Sequence, residues 1–394
     1  MADYSKFVNN PSYYNTSHSF GKPRPQEVGG TRYKPVRIDT GAFLQENGDI
    51  RFYLFEPKAT TIEIVMQQGH TAETLALQKN SEGFFEGTWV NNGDPRFIGK
   101  RGLTVKIDGV ACSYYRIPRY YRGNKLTNYV DFPDPEWDDY LIKDVPHGTL
   151  AFETYWSDTV GGWQRCMVYT PAEYRHNTDK KYPVMYLHHG WGENETSWMF
   201  AAKVPQIMDN LIAEGRAEPF IVVTNENMPK LPSDGSHGMD GYTSVLLNDC
   251  ISFIEREYRC IPDKWHRGIG GNSYGGMMTS VIGFGHPEMF SHLGIFSGGF
   301  RFKDLWQTYE ENHHLDWLYN NAEEIGKTYT IIYRGHGTGE YSDVPDNSDD
   351  EVFCRENGID ALPCYKRHFI KDGYHEWDTF GKEFAQFAQY AFKG

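Results

Sequence analysis

The sequence lacks several features that would assign it to a particular class of protein. It has no apolar run of about 18 residues, the length that a membrane-spanning helix requires, and its first residues contain no apolar segment typical of a secretory leader. Its six cysteines form no C-x-x-C pair, so a zinc ribbon or thioredoxin-type motif has no support. We therefore expect no membrane partner, no signal peptide in this chain and free, mostly buried thiols.

An excess of positive charge is also lacking. The chain has 39 Lys and Arg residues against 53 Asp and Glu residues, a formal net charge of −14 that repels nucleic-acid phosphates. We therefore expect no nucleic-acid partner. With 394 residues, 39% hydrophobic and 23% charged, the chain has the composition of a globular protein and the length of more than one domain.

Hydrophobic patterning changes along the chain. Residues 1–28 are rich in Asn, Ser, Tyr and Pro with little periodicity, which predicts an irregular arm. Short β-branched and aromatic runs separated by turn residues follow, as at Arg51–Phe55 and Phe84–Val90, and this pattern is typical of a β-sandwich. Further on, compact apolar runs such as Val184–Leu187 alternate with helical spacing, which predicts a mainly parallel sheet covered on both faces.

Proline and aspartate cluster between residues 133 and 146, where we place the boundary. The prediction is a sandwich domain at 29–143 and an α/β domain at 144–394. Aromatic residues are concentrated in the segment that joins the two domains. Their rings suit contact with sugars and aromatic acyl groups, and they equally suit packing between the domains. They are Tyr114, Tyr115, Tyr120, Tyr121, Tyr129, Phe132, Trp137 and Tyr140.

A nucleophile candidate lies in the α/β region. Gly271-Asn272-Ser273-Tyr274-Gly275 matches G-x-S-x-G, and it is the only such match in the chain. A strand-like segment precedes it and a helical segment follows, as a nucleophile elbow requires. The flanking glycines allow a tight turn that exposes the hydroxyl of Ser273.

A glycine-rich turn after an earlier strand is the second candidate element. Leu187-His188-His189-Gly190-Trp191-Gly192 can direct backbone N–H groups inward, where they would stabilise an oxyanion. We assign the two donors to the backbones of Trp191 and Tyr274. The tandem His188-His189 has no accompanying ligand pattern, so loop scaffolding is favoured over metal binding.

The general base should follow the nucleophile and the acid in the chain. His375 is best placed, because it lies in a loop between a last strand at Arg367–Ile370 and a final amphipathic helix. Trp377 beside it is a candidate for shaping the pocket, as is His189. The competing histidines are His286, His292, His313, His314, His336 and His368.

The acid that orients the base should follow the strand predicted at Tyr329–Tyr333. Glu340 is the first choice because it lies just past the strand end, with Asp343 second and Asp346 third. The further run Asp349-Asp350-Glu351 lacks the ligand spacing and glycine turn of a calcium loop, so it is interpreted as the solvated start of a helix.

Together these residues resemble the esterase D branch of the α/β-hydrolases, in particular carbohydrate esterase family 1. The resemblance covers roughly residues 147–394 and rests on their order and spacing. Asn272 and Tyr274 depart from the family, in which Leu and Met are commoner. The segments that carry it are Val168–Pro171, Tyr186–Trp198, Phe253–Tyr258, Gly271–Gly276, Phe296–Gly298 and Gly373–Trp377.

The front region resembles the family 48 carbohydrate-binding modules, which are immunoglobulin-like sandwiches. The matching segments are Phe52–Ala59, Ile62–Val65, Gly83–Gly87 and Val105–Gly109. The fold expected is therefore an α/β hydrolase preceded by an immunoglobulin-like β-sandwich.

The resemblance implies a secreted feruloyl esterase without metal or organic cofactor, acting on feruloylated arabinoxylan or xylo-oligosaccharide. Ser273, His375 and Glu340 would be its catalytic residues. An acetylxylan esterase and a siderophore esterase of the enterobactin type are alternatives within the same chemistry. A glycan-binding protein with a relic hydrolase domain is the non-enzymatic alternative.

Overall fold

A computed structural model describes residues 3–8, 10, 18–22, 36–68, 71–91, 93, 98–228, 239–300, 316–340 and 346–393. The chain divides into two compact units, Met1–Ile142 and Lys143–Gly394.

The regular secondary structure described in the first unit consists almost entirely of β-strands. Alternation of apolar and polar residues produces them: along Ile50–Phe55, every second side chain is buried. Its elements are α1 (Ser5–Val8), β1 (His18–Lys22), β2 (Val36–Leu44), β3 (Ile50–Phe55), β4 (Ile62–Gln68), β5 (Thr71–Ala76), β6 (Gln78–Lys79), β7 (Phe84–Trp89), β8 (Gly99–Ile107), β9 (Val110–Cys112), β10 (Arg119–Arg122) and β11 (Lys125–Phe132).

These strands form two sheets, as expected of an immunoglobulin-like sandwich. One has the order β1-β2-β3-β7-β6 and the other β10-β11-β8-β4-β5, with β9 beside β8. Every pairing between them is antiparallel. The prediction of an irregular arm at 1–28 is wrong where β1 pairs with β2, because main-chain hydrogen bonds rather than apolar periodicity define that edge strand.

The aromatic segment before the boundary contributes to this first unit. Tyr120 lies in β10 and Tyr129 in β11, and their buried rings meet edge to face at 5.1 Å. Tyr114, Phe132 and Tyr140 are also buried. These five rings therefore pack the interior of the unit and offer little surface to a sugar.

The second unit contains one eight-stranded sheet. Its strand order is β12-β13-β15-β14-β16-β17-β18-β19, in which β12 and β13 are antiparallel to their neighbours and the others run parallel. The strands are β12 (Thr149–Ser157), β13 (Gly162–Thr170), β14 (Val184–His188), β15 (Ile221–Asn225), β16 (Arg267–Asn272), β17 (His292–Phe296), β18 (Ile331–Gly337) and β19 (Tyr365–Ile370).

Helices connect the parallel strands, as the alternating sequence pattern predicts. All residues of β14, β15, β16 and β17 are buried, which explains the apolar runs in β14, β15 and β17. The helices are α2 (Ser197–Phe200), α3 (Val204–Ala213), α4 (Met239–Ser244), α5 (Ile251–Glu257), α6 (Tyr274–Gly285), α7 (Asp316–Asn320), α8 (Ile325–Thr328), α9 (Asp346–Glu356) and α10 (Trp377–Ala388). A π-helical segment, Val245–Cys250, joins α4 to α5.

All six cysteines are free and five of them are buried, as predicted. Among the described residues, no helix is long and apolar enough to cross a membrane.

Candidate active site

Ser273 occupies a strained turn between β16 and α6. Its backbone has φ 53° and ψ −119°, a conformation that a residue with a side chain adopts only at a cost in energy. The turn is held because the N–H of Ser273 donates to the carbonyl of Phe296 in β17 over 3.0 Å. The side chain is half-buried, so a local conformational constraint presents the hydroxyl at the sheet edge.

The two glycines of the motif are required by the close approach of main chains. A Cβ on Gly271 would lie 2.6 Å from the carbonyl oxygens of His188 and Gly275. A Cβ on Gly275 would lie 2.8 Å from the carbonyl oxygen of His189. The end of β14 therefore packs directly against the elbow, and only glycine fits at both positions.

The glycine-rich loop after β14 lies beside the nucleophile. A Cβ on Gly190 would lie 3.5 Å from the Cβ of Ser273. The N–H of Gly190 donates to Oε2 of Glu193 over 2.8 Å, which removes it as a donor to an oxyanion. The rings of Trp191 and Tyr274 meet edge to face at 5.4 Å, so the two residues predicted to supply oxyanion donors are neighbours.

Glu193 also links this loop to the elbow, a contact that the sequence motifs do not reveal. Its Oε2 accepts a hydrogen bond from Nδ2 of Asn272 at 3.3 Å in addition to that from Gly190. This pairing accounts for an asparagine at a position where the resembling family more often has leucine. The carboxylate of Glu193 thus braces the loop against the turn that carries Ser273.

The predicted acid and base are in direct contact. Nδ1 of His375 lies 2.6 Å from Oε2 of Glu340, a distance typical of a charge-assisted hydrogen bond. Glu340 is 2% exposed, whereas the side chain of His375 is 45% exposed. The imidazole is therefore anchored at one nitrogen and accessible from solvent.

Glu340 is held by two further donors through its other carboxylate oxygen. Oε1 accepts the N–H of Gly337 at 2.6 Å and the hydroxyl of Ser297. Ser297 follows β17 directly and has φ 45°, so it stands at the next strand end from Ser273. Ser297 was not predicted as a site residue, although it lies within one of the segments that carry the family resemblance.

The pKa of His375 reflects two opposing effects. Loss of hydration around the ring lowers it, but the hydrogen bond to Glu340 and the negative charges of Glu340, Glu376 and Glu193 raise it above its ordinary value. The dominance of the charges favours the imidazolium form, which is the form that a general base acquires when it accepts a proton.

The other candidate histidines and acids are placed differently. His292 is buried and bonded through Nδ1 to Ser291, and His368 stacks on Tyr333. His336 is also buried, and His286 pairs with Glu288 at 3.4 Å. His313, His314 and the side chains of Asp343 and Asp346 lie outside the described residues.

The two residues predicted to shape the pocket are both buried. Trp377 is 1% exposed and packs edge to face on Trp198 at 5.3 Å. His189 is also 1% exposed, with Nδ1 2.9 Å from the carbonyl oxygen of Gly190 and its own carbonyl bonded to Asn227.

His188 and the acidic run near 350 have structural roles. Burial lowers the pKa of His188 to about 3, and Nδ1 of its ring lies 3.0 Å from the Tyr242 hydroxyl. Asp350 and Glu351 lie within α9, as predicted, but the prediction that this helix start is solvated is wrong for Asp350, which is buried and pairs with the buried Arg334 at 2.9 Å. No group of three or more potential metal-ligating side chains occurs in the described part of the chain.

Four neighbouring parallel strands bring the site together. Ser273, Ser297, Glu340 and His375 follow β16, β17, β18 and β19 respectively, and the carboxyl ends of parallel strands meet at one sheet edge. An elbow serine followed in the chain by an acid and a histidine defines the class of α/β-hydrolases.

The family assignment follows from comparison with known proteins. The model of a family described as putative esterase matches residues 157–390, and the chain belongs to that family. An endo-1,4-beta-xylanase/feruloyl esterase of Xylanibacter ruminicola is 34% identical over 284 residues, which are 70% of this chain and 38% of that protein. An endo-1,4-beta-xylanase Y of Acetivibrio thermocellus is 33% identical over 38% of this chain and 14% of its own length. The chain thus spans a minor part of these relatives.

Solved structures share the fold. A feruloyl esterase module of Clostridium thermocellum, complexed with sinapinate, superimposes with a TM-score of 0.53 over 65% of this chain and 92% of its own, at 22% identity. The enterobactin esterase of Shigella flexneri gives a TM-score of 0.58 over 86% of this chain and 92% of its own, at 12% identity.

Proposed function

We propose that this chain is a serine carboxylic-ester hydrolase that releases ferulate or related hydroxycinnamates from plant cell-wall arabinoxylan. The observation that carries the proposal is the contact between Glu340 and His375 at the sheet edge where the strained elbow presents Ser273. The names of the xylanase relatives supply the substrate class, and the acyl group is inferred from the feruloyl esterase named among them.

In the proposed mechanism, Oγ of Ser273 attacks the ester carbonyl carbon while Nε2 of His375 removes the hydroxyl proton. The backbone N–H groups of Trp191 and Tyr274 stabilise the oxyanion of the tetrahedral intermediate. Glu340 holds Nδ1 at 2.6 Å, which fixes the tautomer with Nε2 unprotonated and stabilises the imidazolium that forms.

Collapse of the intermediate breaks the bond between the carbonyl carbon and the sugar oxygen. His375 returns its proton to that oxygen, which leaves as an alcohol, and Ser273 remains acylated. A water molecule then attacks the acyl-enzyme with His375 again as the base, and the carboxylic acid and free Ser273 are released. The helix α6 begins at Tyr274, so its N-terminus adds a positive potential near the developing charge.

The first unit is proposed to bind glycan, on the strength of its resemblance to family 48 carbohydrate-binding modules. Its interior aromatic rings are engaged in packing, so a sugar would be bound by exposed rings such as Tyr115, which is 52% exposed beside Arg116. Retention of the full chain by insoluble arabinoxylan, reduced by Tyr115→Ala, would support this. Equal retention of both proteins would contradict a role of Tyr115. Action on a cell-wall polymer also implies that the protein works outside the cell.

A siderophore esterase is the second candidate, because the enterobactin esterase matches 86% of this chain and thus extends beyond the hydrolase unit. Rates on methyl ferulate, acetylated xylan and enterobactin separate a feruloyl, an acetylxylan and a siderophore esterase. We expect kcat/KM to be highest on methyl ferulate. A failure of Ser273 to react with a fluorophosphonate probe would instead favour a glycan-binding protein with an inactive hydrolase domain.

A further inference from the structure

A second carboxyl group is buried behind the acid of the site. Glu383 lies in α10 and is fully buried. Its two carboxyl oxygens lie 3.4 and 3.3 Å from Oγ of Ser297, the hydroxyl that also contacts Glu340. One serine hydroxyl therefore stands between two acidic side chains in the interior of the protein.

The side chain of Glu383 packs directly against the backbone of β18 at Gly335. A Cβ on Gly335 would lie 2.7 Å from Oε1 and 2.9 Å from Cδ of Glu383. Any residue with a side chain at Gly335 would displace the carboxyl group. Its position against the strand that leads to Glu340 is thus a specific feature of the packing between α10 and the sheet.

The hydroxyl of Ser297 has one proton, so it can donate to only one of the two carboxyl groups, Glu340 or Glu383. Glu340 already accepts hydrogen bonds through both of its carboxylate oxygens, from Gly337 and from His375. The single hydroxyl proton of Ser297 goes to Oε1 of Glu340, the nearer acceptor, so the hydroxyl oxygen of Ser297 has only lone pairs to offer Glu383. A carboxylate at Glu383 would be repelled by them, whereas a protonated carboxyl would donate to them.

The surroundings of Glu383 also favour its protonated form. Burial is the largest effect and the negative charge of Glu340 the next, and together they hold the pKa of Glu383 well above its ordinary range. Donation from the hydroxyl and the backbone N–H of Ser297 and the cation of Arg367 oppose them, but the hydroxyl proton goes to Glu340 and Arg367 is paired with Glu351 at 2.7 Å. Tyr333 in β18 also interacts with Glu383, and burial raises the pKa of its phenol.

We propose that Glu383 is a neutral hydrogen-bond donor that positions the catalytic acid through Ser297. The resulting chain runs from the Glu383 carboxyl to the Ser297 hydroxyl, then to the Glu340 carboxylate and the His375 imidazole. Glu383 touches neither substrate nor base and is a positioning residue. The inference rests on the proposed esterase function, because it assigns Glu340 to the catalytic triad.

The test compares two substitutions that differ only in hydrogen bonding. Glu383→Gln keeps a neutral donor, so we expect kcat on a chromogenic acetate to stay within about twofold of wild type. Glu383→Met has a similar length but no donor, so we expect kcat to fall about three- to tenfold with KM unchanged, the effect of one hydrogen bond. Lys382→Met is the matched control on the same helix and should leave kcat unchanged.

Infrared spectroscopy gives a readout that does not depend on turnover. The wild-type protein at neutral pH should show the carbonyl stretch of a protonated carboxylic acid, and Glu383→Gln should lack it. Absence of the band in wild type, an unimpaired Glu383→Met, or equal impairment of Gln and Met variants would overturn the proposal. If wild type hydrolyses no ester, the proposed function fails, and the infrared band still decides the protonation state of Glu383 even where the Met variant does not fold.

Discussion

The two sides of the site are built in different ways. The nucleophile side consists of one short stretch, in which Gly271 and Gly275 let the chain turn and Ser273 takes up the strain. The acid–base side is assembled from three separate segments, which supply Ser297, Glu340, and His375 together with Glu383. One side thus depends on backbone conformation, and the other on side-chain hydrogen bonds between distant parts of the chain.

This difference has consequences for mutation. A tightly enclosed backbone turn has no room for added atoms, so substitutions there are expected to reduce stability as well as the catalytic rate. A network of hydrogen-bonded side chains can lose one of them and keep its geometry, so substitutions there are expected to reduce the catalytic rate more than stability. Comparing variants on the two sides separates these effects.

The largest effect is expected from removal of the nucleophile. Ser273→Ala should lower kcat on methyl ferulate by about 10⁴- to 10⁶-fold, because no other group can form the acyl-enzyme. The midpoint of thermal unfolding should be maintained or rise, since alanine removes no contact that holds the turn. Unchanged hydrolysis of methyl ferulate and of a chromogenic acetate would rule out the proposed mechanism.

Removal of the acid should have the next largest effect. Glu340→Gln keeps the shape but loses the charge that fixes the imidazole, so kcat should fall by about 10²- to 10⁴-fold. Glu376→Gln is the matched control, because Glu376 adds negative charge near His375 without the 2.6 Å contact that Glu340 makes. Asp343→Asn and Asp346→Asn should retain activity; a large loss in either would transfer the role of the acid to that residue.

On the nucleophile side, Gly275→Ala tests the enclosed turn. The added Cβ would meet the main chain of His188 and His189, so we expect the free energy of unfolding to fall by about 1–3 kcal/mol, measured in urea. Gly326→Ala in α8 is the control, because the nearest atom to its Cβ is a Leu362 methyl at 3.4 Å. That helical substitution should be neutral or stabilising by about 0.5–1 kcal/mol, and equal losses in both proteins would contradict the enclosure of Gly275.

The smallest effect concerns pH. His375 must be neutral to accept a proton, and its pKa is raised above the ordinary value of 6.5, so kcat/KM should fall as pH drops through that raised pKa. Glu193→Gln removes one of the charges that raise it and should move this acidic limb to lower pH. The profile is measured on a chromogenic acetate, and a limb that moves upward would contradict the assigned charge effect.

Much of the fold could be predicted from local patterns. The runs at Val184–Leu187 and Leu293–Phe296 fall within β14 and β17, because strands buried on both faces are continuously apolar. The hairpin of β12 and β13 was not predicted. Trp156 and Trp163 are exposed there, so the positions of the apolar residues do not mark the buried face of its strands. The position of His375 and Glu340 after their strands was predicted, but their contact depends on the pairing of β18 with β19.

The sequence by itself indicated the elbow, because the G-x-S-x-G motif lies within two positions of Ser273, but the contacts that hold the turn come from β14 and β17. It also determined the alternation of strands and helices, which follows from hydrophobic periodicity. Tertiary structure decided that Trp377 and His189 are buried, that Asn272 pairs with Glu193 and that Glu383 stands behind the acid. Those relations join residues far apart in the chain, and the folded sheet alone fixes which strand ends become neighbours.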